Sequence, residues 1–97
     1  MAYDPGAIDA ALAAAVGDEP ALIAELRGAF LESVRRGLEG LEAAQGDDHW
    51  QAAAARLKGL AASFGAVRLM ALATEAANAP AQDVGVLKRL KRAVERL

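Results

Sequence analysis

Imidazole chemistry in this 97-residue chain rests on His49, the single histidine. Asp47 and Asp48 precede it directly, but neighbours along a chain splay apart, whereas a metal site or a catalytic dyad needs converging groups. The trio reads as a helix cap followed by an exposed first-turn histidine. Ser63 has no base near it in sequence, and no glycine-rich phosphate loop occurs, so nucleophilic hydrolysis has no support. The chain has no cysteine, which removes thiol catalysis, disulfide frameworks and cysteine-zinc sites. No catalytic residue, metal or cofactor is expected.

Lys58 keeps more unusual company. Within Ala52 to Ala66, Leu57, Leu60, Ala61 and Phe64 recur at helical spacing and form one apolar stripe. Gln51, Ala55, Lys58, Gly59 and Ala62 fall on the opposite side of the same helix. A glycine at mid-helix costs about 1 kcal/mol relative to alanine, and an outward face normally carries long polar side chains rather than small ones. Small residues there suit the close approach of a partner, and these five are the candidate docking residues.

The elements that must position this face are all helical in pattern. Gly6 to Val16 reads as a short helix with Ile8, Leu12 and Ala15 on a weak apolar side and Gly17 as its stop. Asp18 is expected to cap a long second helix, with Pro20 in its first turn. Leu22, Leu26, Phe30, Val34, Leu38 and Leu41 carry that helix to about Ala44, weakened late by Gly37 and Gly40. Gly46 breaks the pattern, and Asp47 or Asp48 is expected to cap a third helix from His49 to Phe64, opened by Trp50 as a core or staple residue. Gly65 separates it from a fourth helix over Ala66 to Ala77, with Val67, Leu69, Met70, Leu72, Ala73 and Ala76 as its apolar surface. Asn78-Ala79-Pro80 ends that helix. The last begins near Ala81 or Gln82, with Val86, Leu87, Leu90, Ala93, Val94 and Leu97 as its core stripe. The expectation is a single all-α domain over residues 1–97: an antiparallel up-down-up-down four-helix bundle with a short extra N-terminal helix.

Trp50, then Ala55, then Arg56-Leu57-Lys58-Gly59, then Ala62-Ser63-Phe64-Gly65-Ala66 and Leu69 resemble the signature of the histidine-containing phosphotransfer (HPt) domains. That family's motif is His, any residue, Leu, Lys, Gly, followed by a Ser-x-Gly-Ala segment, and the likeness extends to the order and length of the helices. The family's phosphate-accepting histidine falls on Ala55. Leu60 replaces the small hydroxyl residue common after the family's glycine. The resemblance implies docking to a response-regulator receiver domain or a histidine kinase in a two-component phosphorelay, with Lys58 offsetting phosphoryl charge if an acceptor were restored. Without a nucleophile at Ala55 the chain is expected not to relay phosphate, and so not to act as an enzyme. Ala55 is either native to a degenerate family member or a replacement of histidine in a relay protein.

Charge and hydropathy narrow the partners. The net charge is -2, which disfavours nucleic acid, since phosphate binding wants a concentrated positive field. Ten acids and three arginines occupy residues 1–50, against eight basic residues and three acids in 51–97. Lys88, Arg89, Lys91, Arg92 and Arg96 crowd the last helix and read as a solvated face. No segment approaches a membrane span, and Met-Ala-Tyr-Asp-Pro-Gly lacks the pattern of a secretory signal, so a cytoplasmic monomer or weak homodimer is expected. Two other readings stand beside this one. The alanine-rich stretches Ala52 to Ala55 and Ala71 to Ala77 suit a helical interaction or dimerisation module. His49 would serve a phosphotransfer enzyme, although it lies roughly 120° around the helix and about 9 Å along it from Ala55.

Overall fold

Glycine and amide chemistry, rather than strand pairing, punctuates the chain. The computed structural model describes Leu12, Gly17 and residues 19–97. Four helices and no strand occur among the described residues: α1 (Pro20–Glu42), α2 (Asp47–Ser63), α3 (Val67–Ala77) and α4 (Val84–Glu95). The short helix expected over Gly6 to Val16 and the cap expected at Asp18 lie outside the described residues, except that Leu12 is buried in the common core. No helix of the described residues is long and apolar enough to cross a membrane.

α1 begins with Glu19 at the cap position and Pro20 in its first turn, where a missing N–H costs nothing. Gly46 precedes α2 with φ +87°, a left-handed conformation that glycine adopts without a Cβ penalty. Its carbonyl accepts from the Trp50 N–H at 3.1 Å. Asp47 and Asp48 do not cap: both lie inside the first turn and no side chain caps the start of the helix. They act instead as negative charges at the positive end of the helix dipole. α2 closes with Gly65 at φ +68°. Gly65 N–H donates to Ala62 O at 3.3 Å and Ala66 N–H to Ala61 O at 2.9 Å, the paired bonds of a Schellman stop.

α4 starts later than the expected Ala81 or Gln82. Asp83 is its cap, and its carboxylate accepts from the Val86 N–H at 3.0 Å. Gln82 is held out of the helix at φ +64°. Its amide Nε2 donates to Leu41 O at 3.2 Å and Ala44 O at 3.0 Å, so this loop residue adds a second bond to Leu41 O, which already accepts from the Ala44 N–H, and supplies one to Ala44 O just past the end of α1.

Each helix packs against its neighbours in sequence, and α1 also meets α4. The core takes Phe30, Val34, Leu38 and Leu41 from α1, Trp50, Ala53, Ala54, Leu57 and Ala61 from α2, Leu69, Leu72, Ala73 and Ala76 from α3, and Val86, Leu90, Ala93 and Val94 from α4. Leu22 and Leu26 of the expected α1 stripe are half-buried. Val67, assigned to the apolar surface of α3, is half exposed at 50%, because it falls on the outer side of the helix with Ala71 and Glu75, while Leu69, Leu72, Ala73 and Ala76 turn inward. α2 and α3 form the most extensive pair, and their buried alanines let the two backbones come close. Trp50 locks that pair: fully buried, it donates from Nε1 to Ala76 O at 2.7 Å. The Phe30 and Phe64 rings meet with centroids 4.3 Å apart.

Candidate partner-docking face

The same turn-by-turn geometry that buries Trp50, Leu57 and Ala61 turns the other stripe of α2 to solvent. Gln51, Ala55, Lys58, Gly59 and Ala62 are all exposed, so the helix brings the five together on its outer side. Their circumstances differ. Gln51 is fastened: its Nε2 donates to Ala77 O at the end of α3, satisfying a terminal carbonyl. Lys58 has no hydrogen-bond or ion-pair partner among the described residues. Ala55 offers a methyl group only.

Gly59 and Gly37 make an informative pair. A Cβ on Gly37 would lie 3.2 Å from Leu57 Cδ1, so its absence lets α1 and α2 approach. A Cβ on Gly59 would meet nothing within 4 Å. The folded chain gains nothing in packing from glycine at 59 and loses about 1 kcal/mol of helix propensity. Gly40 of α1 is in the same position, with open space where its Cβ would be.

The Ser63-x-Gly65-Ala66 segment has a structural purpose. Gly65 and Ala66 supply the Schellman stop, Ala66 is fully buried, and Ser63 Oγ donates back to Gly59 O at 2.9 Å. Its hydroxyl is therefore engaged locally. His49 is exposed in the first turn of α2, six residues before Ala55 and on a different side of the helix. No group of three or more His, Cys, Asp or Glu among the described residues could hold a metal ion.

Beside this face lies a groove that the sequence reading did not anticipate. Ser33, Arg36, Gly37 and Gly40 of α1 and Arg56, Leu57 and Leu60 of α2 line it. Its signal in the sequence was the Gly37 and Gly40 pair, two glycines three apart on one helix, which registered only as weakness of the helix. Arg56 lies one turn before Gly59, so the groove and the small-residue face share a border. Comparison with protein-family models, curated proteins and solved structures finds no match to this chain.

Chemically, the outer side of α2 presents a low surface bordered by cations, with no nucleophile at its centre. Such a surface admits another molecule closely and favours one that carries negative charge.

Proposed function

We propose that this chain is an HPt-like signalling domain, an antiparallel up-down-up-down bundle completed by the N-terminal segment. It docks to a response-regulator receiver domain or a histidine kinase through Ala55, Lys58, Gly59 and Ala62. The observation that carries this reading is Gly59, a mid-helix glycine opening on empty space, with Lys58, unpaired among the described residues, beside it and Ala55 one turn away. The resemblance of Ala55 to Ala66 to the HPt motif gives that surface its partner class. Part of the motif serves the helix stop, so the weight falls on Lys58 and Gly59.

Docking in this reading is not followed by transfer. A methyl group at position 55 cannot attack an aspartyl phosphate, while Lys58 still stands where it would offset phosphoryl charge. The domain therefore occupies a receiver without discharging it. Self-association through the alanine-rich stretches is the weaker reading, because Ala53, Ala54, Ala73 and Ala76 are buried inside the bundle. No observation favours phosphotransfer through His49.

The test is a titration of receiver domains encoded in the same genome, with and without an aspartyl-phosphate mimic. A receiver should bind the wild-type chain and lose affinity at least tenfold against Gly59→Gln, which keeps its helical circular dichroism. Retained affinity in that variant, or self-association alone, would sink the proposal. Ala55→His should in addition acquire acid-labile phosphate from a phosphorylated receiver, reduced by Lys58→Ala.

A further inference from the structure

The groove between α1 and α2 has two features that the fold itself does not require. Gly40 leaves open space at its rim where any side chain would fit, although alanine there would favour the helix by about 1 kcal/mol. Two arginines, Arg36 from α1 and Arg56 from α2, and no acid among the described residues line it. Arg36 has one partner, Glu32 on its own helix at 2.6 Å, and both side chains of that pair are largely exposed. Such a pair contributes little and exchanges readily. Arg56 has no partner among the described residues. Between the arginines the floor is apolar, made by Leu57 and Leu60.

We infer that this groove seats a helix of the docked partner, with one apolar side chain placed over Gly40 and Leu60 and flanking carboxylates directed to Arg36 and Arg56. The inference rests on the docking reading and extends it: the contact continues from the small face of α2 across Arg56 onto α1. The charge pattern selects the occupant. Guanidinium groups on both banks favour carboxylates, which they can bind in bidentate fashion, and they repel a partner helix edged with lysine. An apolar residue flanked by acids fits the helix-in-groove mode, in which side chains three and four apart share one face. Small residues lower the groove, and the two arginines set the sign of what enters it.

The experiment uses the full chain and the receiver domain that binds it most tightly, comparing Gly40→Leu, Arg56→Glu and Arg36→Glu with Gly28→Leu as the control, a second open glycine of α1 that does not line the groove. Gly40→Leu fills the groove and should weaken binding at least tenfold. Each charge reversal should weaken it by a similar factor, and Arg56→Lys should restore part of the loss. Wild-type affinity should fall as salt rises. Gly28→Leu, on α1 but outside the groove lining, should bind within about twofold of wild type, and circular dichroism should show all variants helical. Loss of binding in Gly59→Gln with Gly40→Leu and both charge reversals unchanged would overturn the groove and leave the α2 face standing. Failure of every receiver to bind the wild-type chain would overturn both. Sedimentation that showed a Gly40-dependent dimer in place of receiver binding would likewise reject the acidic partner helix.

Discussion

The outer faces of α2 and α4 answer the same physical question differently. Each helix buries one stripe in a shared core, and solvent leaves the other stripe free to be anything soluble. Beyond the first turn of α4, where Val84 is exposed, that stripe is what solvent alone would select: Lys88, Arg89, Lys91 and Arg92 are exposed, Arg89 pairs with Glu75 at 2.6 Å and Lys91 with Glu42 at 3.2 Å. On α2 the exposed stripe sets Ala52, Ala55, Gly59 and Ala62 among Gln51, Arg56 and Lys58, and neither cation has a partner among the described residues. The departure is not an economy of packing, because the added atoms would meet only open space at Gly59. α4 shows the background, and α2 departs from it with small residues, of which Gly59 alone costs helix propensity, about 1 kcal/mol.

That contrast sets the scale of effects. The largest belongs to the inner face of α2. Trp50→Ala removes the largest buried side chain and its bond to Ala76 O, and chemical denaturation should show a loss of about 3–5 kcal/mol. Gln82→Ala deletes the two bonds that close the end of α1 and should cost about 1 kcal/mol, with faster amide exchange around Ala43 to Gly46. The glycines give the sharper comparison. Gly59→Ala should stabilise the fold by up to about 1 kcal/mol, whereas Gly37→Ala should gain less or lose, because its Cβ would press on Leu57 Cδ1 at 3.2 Å. Equal gains at both positions would erase the distinction between packing and presentation. The smallest effect belongs to α4. Lys88→Ala and Arg92→Ala should leave the melting temperature and receiver binding unchanged, and a loss of binding there would move the docking surface off α2.

Much of this architecture was legible in the sequence because hydrophobic spacing reports burial directly. Phe30, Val34, Leu38 and Leu41 recur at steps of four and three, and all four are buried. Gly65 was readable as a break because it ends α2 in a left-handed conformation. The capping details were less accessible. Gly46 rather than an aspartate precedes α2, and the start of α4 depends on Gln82 reaching the carbonyls of Leu41 and Ala44, a contact across 41 and 38 positions that local propensity cannot encode. The same limit applies to the site. The small face of α2 follows from helical periodicity within one segment, whereas the groove needs Gly40 and Arg56 brought together from two helices. Gln51 fell on the expected face, but its bond to Ala77 O gives it a structural task that no pattern within α2 announces.

The most direct test of the docking reading is a two-dimensional amide NMR titration of the nitrogen-15-labelled chain with receiver domains from the same genome. Perturbations should centre on Ala55, Lys58, Gly59 and Ala62 and spread through Arg56 to Gly40, with Lys88 to Arg92 unmoved. Perturbations centred on α4, or none with any receiver, would contradict it.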